Sequence, residues 1–191
     1  MRRNVLVLLL ACVTLAACQT TGDISYTPTV PLIPGLSASI AAVTVQDVRD
    51  EKPNRLATLR GLYGNPAKVF DTTKPVSDEV AAIVIAALRA RGMFALAAPY
   101  RIQINLRTLY GDTYFARRTF IDMDLNVVDP AGRVVYKDTV KQDKVGFDVF
   151  SDIEDVVAFT QLFLNTTIDG MLDKAAFRAA LSPPGKPFPS S

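Results

Sequence analysis

The sequence predicts an α+β domain in which two helices pack on one face of a mostly antiparallel sheet of about four strands. Three observations lead to this prediction: segments that alternate apolar and polar residues, two segments with apolar residues every three or four positions, and a turn signal at Asp129–Gly132. Alternation at period 2 is typical of a strand buried on one face, and a period of 3.6 is typical of an amphipathic helix. Grouping the elements in this order gives a two-layer domain.

The strands are predicted from alternation and from turn residues. The first strand spans residues 40–48 and runs into a charged stretch that ends at Pro53. Residues 56–63 and 67–72 flank Gly64-Asn65-Pro66 and predict a short hairpin. An antiparallel meander is predicted from three later segments, which are 101–107, 121–127 and 134–140.

The two helices are predicted from their caps and apolar stripes. Ser77 is expected to cap the first helix, which ends at Gly92. Ser151 and Glu154 have the spacing of a capping box and open the second helix. Residues 173–181 either extend the second helix or form a short separate one. The apolar stripes are Val80, Ile83, Val84, Ala87 and Leu88 in the first helix, and Val156, Val157, Thr160, Phe163, Leu164, Thr167, Ile168 and Met171 in the second.

The first residues predict the destination of the protein. Arg2 and Arg3 precede an apolar run over 5–15, about half of the roughly 20 residues that a membrane-spanning helix needs, which is typical of a secretory signal. Leu15-Ala16-Ala17-Cys18 then resembles the lipobox of bacterial lipoproteins. The resemblance implies cleavage before Cys18, a diacylglyceryl thioether on its sulfur and an amino terminus acylated with a group such as palmitate. The alternative is a plain signal peptide.

Gln19 follows the cysteine, whereas an aspartate there would have resembled a signal for retention in the inner membrane. We therefore expect the outer membrane, with the domain facing the periplasm. The predicted organisation is a signal peptide over 1–17, a lipidated extended tether over 18–38, a single α+β domain over 39–181 and a flexible tail over 182–191.

Composition excludes several classes of function. The chain has no His, which removes Ser-His and Cys-His catalysis and His-ligated metal sites. No Ser-x-x-Lys pair, Gly-x-Ser-x-Gly elbow or phosphate-binding loop is present. Without Arg2 and Arg3 the 21 basic residues become 19 and equal the 19 acidic ones, so nothing favours nucleic-acid binding. We expect no enzyme activity, no metal and no cofactor other than the acyl groups on Cys18.

The order of several motifs resembles the YajG-type family of bacterial lipoproteins. These motifs are the lipobox, the strand Val43–Arg49, the helix end Arg89–Gly92 and the strand that runs into Leu109–Asp112, within roughly Ser39–Leu172. The auxiliary lipoproteins of ABC-type lipid transporters are the alternative family. Neither supplies catalytic residues, so the resemblance implies a non-enzymatic periplasmic lipoprotein.

Two groups of residues are candidates for contact with a partner. Tyr110, Tyr114 and Phe115 surround an expected hairpin tip flanked by arginines, and aromatic residues with arginine anchor many protein interfaces. Folding of this loop onto the core would explain them equally well. Asp47 and Arg49 belong to a charged cluster at a strand end, where the alternative is a solvated turn.

Carboxylates on the meander raise the question of a metal site. Asp122, Asp124 and Asp138 lie on neighbouring strands and would suit Ca²⁺ or Mg²⁺. A cross-strand charge ladder is the stronger interpretation, with Arg107 opposite Asp122 and Lys137 opposite Asp124. We therefore predict no metal there.

These observations favour a lipid-anchored periplasmic adaptor or binding module. Its expected partners are the membrane, through the anchor, and a protein or envelope lipid, and self-association into a homo-oligomer is compatible with the neutral mature chain. The alternative is a lipid-handling accessory lipoprotein of an ABC-type envelope transport system. An apolar cavity between helices and sheet would favour that alternative, and a filled core would favour the adaptor.

Overall fold

The computed structural model describes residues 18–31, 38–114, 116–146 and 152–181. Within these residues the chain forms a seven-stranded mixed sheet and three helices. The strands are β1 Cys18–Gly22, β2 Ile40–Asp47, β3 Arg55–Arg60, β4 Pro66–Thr72, β5 Tyr100–Thr113, β6 Arg117–Val128 and β7 Val134–Gly146, and the helices are α1 Val76–Ala90, α2 Ile153–Leu172 and α3 Ala175–Ala180.

The prediction of a mostly antiparallel sheet of about four strands with two helices is wrong. The strand order is β1-β4-β3-β5-β6-β7, and β2 also pairs with β5. The pairs β1–β4, β2–β5 and β3–β5 are parallel, whereas β3–β4, β5–β6 and β6–β7 are antiparallel. The predicted hairpin is confirmed as β3–β4 and joins the main sheet through β5, and the amino-terminal segment adds β1.

The strand β5, with 14 residues, organises the sheet because other strands pair with it along both edges. Along one edge, residues 101–113 pair with β6. Along the other edge, residues 100–106 pair with β2 and residues 111–113 pair with β3. The predicted antiparallel meander of β5, β6 and β7 is confirmed.

The helix caps differ from the prediction. The residue before α1 is Pro75, without a side-chain cap, and Ser77 lies in the first turn. The amide of Val76 instead donates to the carbonyl oxygen of Pro53 over 2.9 Å, so the loop before β3 satisfies the helix start. The capping box of α2 is formed by Asp152 and Asp155. The predicted cap Ser151 lies outside the described residues, and α3 is a separate short helix.

Part of the segment expected to be a tether is ordered against the domain. Residues 18–22 form the edge strand β1, parallel to β4. Ile24 is buried in the core, and the hydroxyl of Tyr26 donates to the Asp169 carboxylate on α2 over 2.6 Å. A segment without periodicity is thus ordered by individual contacts with distant parts of the chain.

The core lies between the helices and one face of the sheet. Ile104 of β5 and Met123 of β6 face Val84 of α1 and Ile168 of α2 across a gap of only about 10 Å³. Phe177 of α3 packs edge-on against Tyr136 of β7, with ring centroids 5.4 Å apart. All three helices therefore cover the same face, and side chains fill the space between the layers around Ile104 and Ile168.

Candidate functional site

The pairing of the strands places Cys18 at one end of the sheet. Cys18 is exposed and lies opposite Lys68 of β4, near the turn that joins β3 to β4. Since β3 is parallel to β5, the carboxyl end of β5 reaches the same end of the sheet. We call this part of the molecule, formed by Cys18, residues 61–65 and Tyr114, the anchor end.

The loop over residues 61–65 projects two large side chains into solvent. The amide of Gly61 donates to the carbonyl oxygen of Asn65 over 2.8 Å, and the amide of Gly64 donates to the carbonyl oxygen of Gly61 over 2.9 Å. Gly64 has a φ of 79°, a conformation that glycine adopts without strain. Leu62 and Tyr63 at its tip are 76% and 90% exposed.

Neighbouring side chains brace this loop. The hydroxyl of Tyr114 donates to the carbonyl oxygen of Leu62 over 2.9 Å, and Arg60 donates to that of Gly64 over 3.1 Å. Arg60 also pairs with Asp112 over 2.9 Å. The loop is therefore held in a defined conformation.

The predicted aromatic site divides in two. Tyr110 lies within β5, half-buried beside Thr58, and burial raises the pKa of its phenol. Tyr114 is partly exposed at the hairpin tip, and Phe115 lies outside the described residues. The structure thus brings Tyr114, but not Tyr110, next to the exposed loop.

Asp47 and Arg49 lie inside the fold. The Arg49 side chain is fully buried and binds the Asp47 carboxylate through two nitrogens, over 2.8 and 2.9 Å. Burial raises the pKa of Asp47, but the hydrogen bonds from Arg49 outweigh it, so the pKa lies below its ordinary value. The Arg49 guanidinium is not presented to a partner, and the pair joins parts of the sheet.

The carboxylates of the meander are engaged by cations and a hydroxyl. Arg107 donates to Asp122 over 2.8 Å and to Asp124 over 2.5 Å, and the Thr139 hydroxyl donates to Asp124 over 2.6 Å. The hydrogen bonds from Arg107 and Thr139 lower the pKa of Asp124 to about 2. No group of three acidic or cysteine residues in the described ranges is arranged to hold a metal.

The register of the predicted charge ladder is partly wrong. Arg107 does reach Asp122, although a bulge between Leu106 and Thr108 places Thr108 directly opposite Asp122. Lys137 lies opposite Asn126 instead of Asp124. Asp138 pairs with Lys174, which follows α2, over 2.7 Å.

A cleft of about 500 Å³ lies at the other end of the sheet, which we call the distal end. Its wall comes from the loop after α1, where the amide of Ala95 donates to the carbonyl oxygen of Ile40 over 3.0 Å. Leu96 in this loop is 87% exposed. The lining residues are Ala41, Leu96, Ala98, Pro99, Arg101, Gln103, Val128, Asp129, Pro130, Gly132 and Val134.

The sequence patterns did not predict this cleft. Its signal is the apolar run Phe94–Pro99, which follows the glycine at the end of a helix and has neither helical nor strand periodicity. Such a run in a loop is either buried or a contact surface.

A buried ionic cluster, also missed, fixes the amino-terminal segment. Arg91 donates to Asp169 over 2.8 Å and to Asp173 over 2.9 Å, and both Arg91 and Asp169 are almost fully buried. Thr29 donates to Asp169 through its amide and its hydroxyl. Burial raises the pKa of Asp169, but hydrogen bonds led by those from Tyr26 and Thr29 outweigh it, so the pKa is lowered.

None of the helices in the described ranges is long and apolar enough to cross a membrane. No protein-family model matches the chain, and no curated protein sequence matches it.

Solved structures share its architecture. Protein XCC0632 from Xanthomonas campestris, of the DUF330 family, is similar with a TM-score of 0.61 and 16% identity, over 84% of this chain and 96% of that chain. An uncharacterized protein has a TM-score of 0.50 and 12% identity, over 78% of this chain and 96% of that chain. The PelC dodecamer from Paraburkholderia phytofirmans has a TM-score of 0.44 and 13% identity, over 73% of this chain and 91% of that chain. This TM-score is too low to show a shared fold. The first two show a shared fold, and the YajG-type resemblance stays a prediction.

Proposed function

We propose that the protein is a lipid-anchored lipoprotein of the outer membrane that faces the periplasm and acts as a non-enzymatic adaptor. Acyl groups on Cys18 hold its anchor end at the membrane, and the cleft at its distal end binds a partner protein. The observation that carries this proposal is that Cys18 and the cleft lie at opposite ends of one sheet.

The geometry suits an adaptor. The strand β5 begins at Tyr100, beside the distal cleft, and ends at Thr113, at the anchor end. At about 3.3 Å per residue its length is roughly 40 Å. A partner in the cleft would therefore be held at that distance from the membrane by a rigid sheet.

The composition of the cleft favours a protein partner. Its apolar residues, including Leu96, Pro99 and Val134, have the polar residues Arg101 and Asp129 beside them. An apolar centre with polar neighbours is the usual composition of a protein interface. A leucine that is 87% exposed also gains hydrophobic free energy when a partner covers it.

The filled core supports the adaptor over the lipid-handling alternative. The space between the helices and the sheet, next to Ile104 and Ile168, holds about 10 Å³. Ligand sites for small molecules usually have several hundred Å³. An acyl chain would require the two layers to separate.

A crosslinking experiment in living cells tests the adaptor role. A photoreactive amino acid replaces Leu96 in the cleft and, as the matched control, Leu162, which is 56% exposed on α2. We expect a defined crosslinked polypeptide from position 96 that is absent from position 162 and is lost in a variant with Arg101→Glu. A dimer from position 96 would identify the partner as a second copy of this chain. Equal products at both positions would contradict an adaptor that uses the cleft.

A further inference from the structure

The predicted anchor residue is directly adjacent to the folded domain. An extended tether over 18–38 would span roughly 60 Å at about 3 Å per residue. In the structure Cys18 is already the first residue of β1 and pairs with Lys68 in the sheet. No linker therefore separates the acylated residue from the domain.

The strand pairing places the loop over 61–65 beside Cys18. Parallel pairing points the amino terminus of β1 along β4 toward Pro66 and the loop over 61–65. Pro66 lies two residues before the partner of Cys18, which is about 7 Å along the strand. Acyl chains on Cys18 would enter a membrane next to this loop.

The tip of this loop carries an apolar and an aromatic side chain. Leu62 and Tyr63 are exposed, and the partly exposed Tyr114 supports them from the next hairpin. Tyrosine is enriched at membrane interfaces because its ring is apolar and its hydroxyl is polar. The nearby Lys68 and Asp152 form an exposed ion pair of 2.7 Å, which suits the polar headgroup region.

From these observations we propose that the loop over 61–65 enters the headgroup region of the bilayer and that the domain lies directly on the membrane surface. The proposal rests on the lipid anchor of the proposed function and adds a second contact with the bilayer. Bracing by Arg60 and Tyr114 reduces the conformational entropy that the loop loses on insertion. The loop and the acyl chains together fix the orientation of the sheet, with the distal cleft pointing away from the membrane.

The experiment uses tryptophan fluorescence, because the chain contains no Trp. Tyr63→Trp places a single reporter on the loop, and Leu96→Trp places a matched, equally exposed reporter at the distal end. Each full-length protein is processed in the bacterium, extracted from membranes and reconstituted into vesicles of phosphatidylethanolamine and phosphatidylglycerol. Part of the lipid carries bromine near the carbonyl end of its acyl chains.

We expect bromine to quench the Tyr63→Trp reporter several-fold more strongly than the Leu96→Trp reporter, with a blue-shifted emission only at position 63. A further Leu62→Asp substitution is expected to reduce the quenching at position 63. Equal quenching at both positions, or stronger quenching at position 96, would overturn the proposal.

The intact mass of the same samples separates the two proposals. A lipidated protein without quenching at position 63 would overturn the loop insertion and leave the lipid anchor in place. A protein without acyl groups on Cys18 would overturn both.

Discussion

Arg49 donates a hydrogen bond of 3.1 Å to the carbonyl oxygen of Leu109, at the point where the edge of β5 changes its partner from β2 to β3. The same guanidinium donates to the carbonyl oxygens of Pro53 and Arg55, each over 3.0 Å, and to Asp47. At this junction the carbonyl groups on that edge of β5 have no partner strand. A buried carbonyl without a hydrogen bond lowers the stability of the fold. Arg49 therefore joins the two parallel strand pairs on this edge of β5, which are β2–β5 and β3–β5.

We expect Arg49→Met to lower the free energy of unfolding by about 3–5 kcal/mol, because it leaves the partly buried Asp47 carboxylate and several carbonyls without their donor. Denaturant unfolding followed by circular dichroism measures the change. The control is Arg133→Met, which removes the ion pair between the 79% exposed Arg133 side chain and Asp129, and ion pairs at the surface contribute about 1 kcal/mol or less. Equal losses in the two variants would refute the role of Arg49 at the junction.

The close contact between β5 and α2 requires glycine at position 111. A Cβ atom there would lie 2.3 Å from the hydroxyl oxygen of Thr160, which is buried and 3.0 Å from that of Thr119. We expect Gly111→Ala to cost about 1–3 kcal/mol of stability through overpacking. The control Gly170→Ala, on α2 with nothing within 4 Å of its added Cβ, should instead stabilise the protein by about 0.5–1 kcal/mol. Thermal unfolding distinguishes the two, and a stable Gly111→Ala variant would contradict the packing.

The cluster of Arg91 and Asp169 should decide whether the amino-terminal segment is held. We expect Asp169→Asn to destabilise the protein by about 3–5 kcal/mol, because Arg91 remains as a buried charge with only part of its pairing. Amide hydrogen exchange over residues 24–30 should accelerate more than exchange in β5. The control is Asp138→Asn on β7, which removes the ion pair with Lys174. This variant should leave the amides of residues 24–30 protected. Unchanged exchange in the Asp169→Asn variant would argue against this attachment.

Asp124 should contribute to acid sensitivity. Its pKa is lowered to about 2 by hydrogen bonds from Arg107 and Thr139, whereas the unfolded value is about 3.9. The unfolded state therefore binds more protons between these values, and the free energy of unfolding rises with pH there. This contribution is complete above about pH 4 and is lost as the pH falls toward 2.

An NMR titration of the Asp124 carboxyl carbon checks this directly. In an Arg107→Gln variant we expect the pKa to move up toward its ordinary value and the acid loss of stability to become shallower. An unshifted pKa in the unsubstituted protein would show that the Arg107 contacts do not persist in solution.

Local patterns predicted part of the fold. The stripe of α1 and the alternation of β5, β6 and β7 are properties of neighbouring residues, so the sequence reveals them. The parallel pairings of β1, β2 and β3 join segments far apart in sequence, and no local period encodes them. The bulge between Leu106 and Thr108 shifts β5 against β6. A separate shift between Val127 and Val128 belongs to the pairing of β6 with β7, in which Lys137 lies opposite Asn126 instead of Asp124.

The candidate sites were predicted less well for a related reason. A charged residue such as Arg49 resembles a surface residue until the fold brings carbonyl acceptors around it. The exposure of Leu62 and Tyr63 depends on a turn whose hydrogen bonds involve Tyr114 from another hairpin. Only the Cys18 prediction is independent of the fold, because it rests on a contiguous motif.

The most direct test of the lipid anchor is the intact mass of the protein extracted from the outer membrane. The mass should show the loss of residues 1–17 and the addition of a diacylglyceryl group and a further acyl group on Cys18. A Cys18→Ser variant should retain its fold, since Cys18 is exposed, and should be absent from the outer-membrane fraction. An unmodified cysteine in the membrane-extracted protein, or a Cys18→Ser variant that stays in the outer membrane, would contradict the lipid anchor.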